Sequence, residues 1–89
     1  VRESAIEKAL LERVCVLGGV CRKVCWPGRK GAPDRFVMLP GTGVLWVELK
    51  RPGKSAEAHQ LREHKLLQSC GQRVVIVSTL AELDEVLPI

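Results

Sequence analysis

Aromatic side chains are nearly missing from this 89-residue chain: Trp26, Phe36 and Trp46 are all it has, and tyrosine is absent. Stacking on exposed bases can therefore carry little of any nucleic-acid affinity, which disfavours an RRM-like or OB-like single-strand binder. No apolar run is long enough to cross a membrane. Paired CxxC knuckles are lacking too, so Cys15, Cys21, Cys25 and Cys70 do not read as a zinc set. Cys21 and Cys25 lie in what reads as a strand, where they share a face but stand too far apart to bond. With no secretory signal ahead of them, the four are expected to be buried free thiols in a reducing cytosol.

What is present suits one small globular domain over residues 1–89. The hydrophobic fraction is 46%, which argues against disorder, and a chain this short builds only a small core. The formal charge of +4 is unevenly spread. Arg22, Lys23, Arg29, Lys30 and Arg35 stand against Asp34 alone, and Lys50, Arg51 and Lys54 form a second group. Glu82, Asp84 and Glu85 close the chain without a basic partner. Such asymmetry suits a polyanion on one face, bound through its phosphates without reading sequence.

Periodicity sets the order of elements. Ile6, Leu10, Val14 and Leu17 recur at helical spacing, predicting a helix over 3–17 that Gly18-Gly19 stops. Residues 20–26 are consistent with a strand, and the Pro- and Gly-rich stretch 27–33 must be a loop. Two strands, 35–39 and 44–50, flank the turn Pro40-Gly41-Thr42-Gly43 as a hairpin. A second helix is expected from about Ala56 to Ser69, capped by Ser55, with Gln60, Leu61, His64 and Leu67 on one side. The apolar run 73–78 reads as a strand buried on both faces. Thr79 and Glu82 have capping-box spacing for a short last helix through Leu83 and Val86. The order is αβββαβα, a small mixed β-sheet flanked by helices in the α/β class.

Three side chains carry the chemistry. Asp34 follows Gly31-Ala32-Pro33, and fourteen residues later the chain reads Glu48-Leu49-Lys50. Strand alternation puts Glu48 and Lys50 on one face, and the hairpin returns Asp34 to the same end of the sheet. Hard divalent cations want carboxylate oxygens, and a neighbouring ammonium can hold a water or steady a phosphate. An ExK spacing alone would suit a salt-bridged strand face equally well. His64 reads as a helix-surface or partly buried residue meeting Gln60 at i,i+4, with His59 weaker still. Trp26 and Trp46 read as core or interface residues.

The stretches Glu3-Ser-Ala-Ile-Glu7, Gly18-Gly19 with Lys23, residues 27–35 containing GAPDR, Val47-Glu48-Leu49-Lys50-Arg51-Pro52-Gly53, Gln60 and Gly71 together resemble a stand-alone VRR-NUC domain. That is a branch of the PD-(D/E)xK nuclease superfamily, and the likeness covers nearly the whole chain. It implies a restriction-endonuclease-like fold and a Mg²⁺- or Mn²⁺-dependent endonuclease acting on branched, flapped or four-way-junction DNA as a homodimer, in a bacterial or phage-infected cell. It would make Asp34 and Glu48 metal ligands, with the Leu49 carbonyl as a further oxygen, and Lys50 the catalytic lysine. Its helix-one acid maps to Glu7, with Glu3 the alternative, and Gln60 belongs to the active-site neighbourhood. Lys23, Arg29, Lys30, Arg35, Arg51 and Lys54 would seat the DNA backbone. The competing readings are a non-catalytic DNA-junction-binding module, a dimerisation domain, and a sequence-specific restriction-type nuclease, for which 89 residues leave little room.

Overall fold

The computed structural model describes residues 2–88. The elements are α1 (Glu3–Val16), β1 (Val20–Lys23), β2 (Arg35–Leu39), β3 (Gly43–Leu49), α2 (Ala58–Ser69), β4 (Arg73–Val77) and α3 (Leu80–Val86), in the expected order. They form a four-stranded sheet of spatial order β1-β2-β3-β4. The first three strands pair antiparallel, and β4 lies parallel to β3, so α2 is the crossover between them.

The two faces of the sheet follow from alternation along β3. Leu45, Val47 and Leu49 turn one way and join Val37 and Val77 against Ile6, Leu10 and Val14 of α1 and Leu83 of α3. This is the dry core, and the predicted α1 stripe supplies three of its ten buried residues among the described residues, with Leu17 packed against it. Phe36, Trp46 and Glu48 turn the other way. There Trp46 packs edge-on against Phe36 and Trp26, and its indole N–H donates to Gln72 Oε1 at 2.9 Å. Both tryptophans are thus committed to packing, as expected.

Several expectations need correction. Strand β1 stops at Lys23; Val24 still donates to the Asp34 carbonyl at 3.0 Å, but the Pro27-Gly28 turn pulls the chain away beyond it. The cysteines are free, yet not buried: Cys15, Cys25 and Cys70 are exposed and Cys21 is half-buried. Cys15 sits beside the α1 stripe rather than in it, Cys25 falls in the loop, and Cys70 caps α2. Helix α2 begins at Ala58 with Glu57 as its cap, because the Glu57 N–H finds Gln60 Oε1 at 2.8 Å, which Ser55 cannot match. Its inward residues are Glu63 and His64, whereas Leu61 is exposed. Strand β4 is an end strand, so only Val77 is fully buried and Val74, Val75 and Ile76 stay half-covered.

One glycine fixes the long loop to α2. Gly31 has φ +95°, and a Cβ there would stand 2.9 Å from the His59 carbonyl oxygen. Gly28 also has positive φ, +75°, but a Cβ there would meet nothing within 4 Å. Both alanine variants bear the left-handed backbone penalty of about 1–2 kcal/mol. G31A adds a backbone clash, and should lower the midpoint of thermal unfolding by at least about 5 °C more than G28A. Equal midpoints would show that loop and helix are not in firm contact.

Candidate functional site

The β2–β3 register pairs Arg35 with Val47 and Phe36 with Trp46. Continued by one residue, it sets Asp34 opposite Glu48, on the face away from the dry core. Asp34 is anchored there, because its Oδ2 accepts from the Leu49 N–H at 2.7 Å. Lys50, two residues past Glu48 and on the same face, brings its Nζ to 3.6 Å from Glu48 Oε2. The hairpin thus assembles the three side chains that the sequence singled out.

Helix α2 closes over this group. Gln60 reaches both ways: its Oε1 takes the Glu57 N–H, and its Nε2 donates to Glu48 Oε2 at 3.0 Å. Gln60, which the resemblance places in the active-site neighbourhood, thus holds the glutamate itself. One turn later His64 is buried, with Nε2 at 3.9 Å from Glu48 Oε1. This residue read from sequence as surface or half-buried, although its i,i+4 relation to Gln60 held the clue. Burial holds the His64 imidazole below its usual pKa, the Lys50 charge adding to the effect and Asp34 opposing it.

Glu48 is the electrostatic centre of the site. Its side chain is 2% exposed, and Oε1 has no hydrogen-bond partner. Burial first, and the facing Asp34 second, through charge and through a hydrogen bond once a proton is shared, together push its carboxyl up to about 7. Lys50 works the other way and is outweighed. Two facing carboxylates and one ammonium leave negative charge in a place that water barely reaches.

A hard divalent cation fits that deficit. The donors are carboxylate oxygens, one of them orphaned, which suits Mg²⁺ or Mn²⁺ better than a thiophilic ion. Among the described residues no group of three or more His, Cys, Asp or Glu side chains forms a metal cage. Magnesium commonly uses one or two carboxylates and keeps water or substrate phosphate for its other positions, so a two-acid site is compatible with it.

The remaining candidates divide. Glu7 is half-exposed and pairs at 3.0 Å with Arg35, whose place in β2 puts it on the face covered by α1, opposite to Asp34 and Glu48. Glu3 is exposed and lines a surface hollow with Arg51 and Pro52. Arg29 is held by Glu63 through two bonds of 2.7 and 2.8 Å, and Glu63 is drawn below the usual carboxylate range by that guanidinium. Sequence spacing gave no sign of this pair, which spans 34 residues. Lys23, Lys30, Arg51 and Lys54 are exposed. Lys30 borders a cleft of about 500 Å³ between the loop and α2, shared with His59 and Arg62.

Comparison with known proteins gives close likenesses of both sequence and fold. The chain is 41% identical over 88 residues to the protein named "Putative nuclease p44" of Acyrthosiphon pisum secondary endosymbiont phage 1, covering 99% of this chain and 94% of the relative. A solved structure described as a VRR_NUC domain superposes with TM-score 0.88 at 36% identity, over 94% of this chain and 91% of that one. No family model matches the sequence.

Proposed function

Because the chain belongs to the VRR-NUC family of the PD-(D/E)xK nuclease superfamily, we propose that it is a metal-dependent endonuclease hydrolysing phosphodiester bonds in structured DNA. The observation that carries this reading is the meeting of Asp34, Glu48 and Lys50, with Glu48 left one unpaired oxygen. A protein that only bound DNA would gain nothing from holding two acids together where phosphates must approach.

Asp34 and Glu48, with the Leu49 carbonyl, would hold Mg²⁺ or Mn²⁺. When bound, the cation supplies charge neutralisation on the phosphodiester and makes water more acidic. The protein's own groups do the rest. Lys50 sits beside Glu48, where its ammonium can orient a water through hydrogen bonds and offset charge gathering on the phosphate oxygens. Gln60 keeps Glu48 aimed, and the Leu49 N–H does the same for Asp34. Glu7 would join the ligand set only by leaving its ion pair with Arg35. Lys23, Lys30, Arg51 and Lys54 would take backbone phosphates, while Arg29 and Arg35 act through the ion pairs they already make.

Branched DNA and a homodimer complete the reading: two symmetric sites could cut the opposing strands of a four-way junction. The test is a panel of linear duplex, single strand, flap, splayed arm and four-way junction, with Mn²⁺ or with chelator, alongside sedimentation to give the oligomeric state. Metal-dependent cutting of the branched substrates is expected, with symmetric incisions in the junction. Binding without cutting would transfer the site to a junction-recognition module.

A further inference from the structure

Helix α2 presents two polar tips to one carboxylate. Gln60 and His64 are one turn apart, so their side chains descend on the same face of the helix. Gln60 Nε2 donates to Glu48 Oε2 at 3.0 Å. His64 Nε2 faces the other oxygen, Oε1, at 3.9 Å, and these two are buried polar atoms without a partner. Native interiors rarely leave such atoms unpaired, and here two orphans are neighbours. The separation is too long for a hydrogen bond and only about 1 Å from being one.

We infer that His64 is a positioning residue for Glu48, its Nε2–H closing on Oε1 so that Gln60 and His64 clamp both oxygens of the carboxylate. The inference rests on Glu48 being a cation ligand, as proposed above. Nε2 carries hydrogen in the imidazolium and in one neutral tautomer, so the clamp does not depend on a change of charge. A ligating carboxylate keeps a second lone pair on each oxygen, and outer partners of this kind fix its direction toward the cation. His64 touches neither substrate nor water in this role. It acts through Glu48 alone, from a helix whose first turn is closed by the Glu57–Gln60 cap.

The test uses H64F, which keeps bulk and loses the donor, and H64Q, whose amide nitrogen falls near the position of Nε2. Calorimetric titration with Mn²⁺ is expected to show affinity at least about tenfold weaker in H64F and largely recovered in H64Q. Nitrogen chemical shifts of the His64 ring, in the metal-free wild type, are expected to show hydrogen on Nε2 and to move in E48Q. Should H64F fail to fold, H64Q and the ring spectrum still decide. An Nδ1–H tautomer insensitive to E48Q overturns the clamp, as does wild-type affinity in folded H64F. A wild type that takes up no Mn²⁺ while its ring responds to E48Q upholds the clamp and removes the cation reading instead.

Discussion

Lys50→Ala should reduce cleavage by about 10²–10⁴-fold while leaving DNA affinity nearly unchanged. The chain carries 14 lysines and arginines, so one fewer costs little phosphate attraction. The ammonium, however, stands 3.6 Å from Glu48 with its side chain only 18% exposed. In so sheltered a place a fixed positive charge acts on developing negative charge with little screening. Alanine has a second consequence. Lys50 is the group that lowers the proton affinity of Glu48, so its removal leaves Glu48 more protonated at neutral pH and a weaker ligand.

Lys50→Arg separates these two consequences. Arginine restores the charge beside Glu48 but cannot give up a proton, and its wider planar head places donors differently. Recovery of Mn²⁺ affinity without recovery of cleavage would assign Lys50 a place on the reacting atoms. Recovery of both would reduce it to a counter-charge. The measurements are single-turnover cleavage of the preferred substrate, calorimetry with Mn²⁺, and DNA binding in chelator. Cleavage by K50A at the wild-type rate would remove the lysine from the mechanism.

The parts of this site legible in the sequence were those set by local geometry. Strand alternation and one tight turn suffice to bring Asp34, Glu48 and Lys50 together, and the observed register does so. The stripe Ile6, Leu10, Val14 is equally local, and it is the buried face of α1. What escaped was set by packing between distant segments. Helix α2 covers an ionic site rather than the dry core, so its inward residues are Glu63 and His64, and an apolar-stripe rule looks to the wrong side. Its start shifts to Ala58 because Gln60 serves the cap and Glu48 together. The Arg29–Glu63 pair joins a loop to a helix, and no periodicity encodes it. The apolar run of β4 suggested double burial, but an end strand has a neighbour on one side only.

Removing the charge at Glu48 should stabilise the metal-free protein at alkaline pH and deprive it of metal-induced stabilisation. The sign follows from the direction of the shift. The folded state raises the Glu48 carboxyl from its ordinary value of 4.5 to about 7, so it holds the proton more tightly than the unfolded chain. This group's contribution is most favourable below about pH 4.5 and is lost as pH rises through 7. For a side chain 2% exposed, a rise from 4.5 to about 7 makes that loss about 3 kcal/mol. Glu63 and Glu82 are shifted the opposite way and lose stability as pH falls. The wild type alone therefore mixes both trends, and the difference between E48Q and wild type isolates Glu48. In chelator at pH 8, E48Q should unfold at least about 8 °C above wild type, and the gap should shrink toward pH 5. Saturating Mg²⁺ should reverse the order, because a ligand bound only to the folded state stabilises it by mass action and the neutral amide is a poorer partner for the cation. The crossing of the two curves is the sharp signature, since a variant that merely loosened the core would fall below wild type in both conditions. If E48Q is the less stable protein at pH 8 without metal, then Lys50, Gln60 and His64 already satisfy the buried charge, and the site has no deficit for a cation to fill.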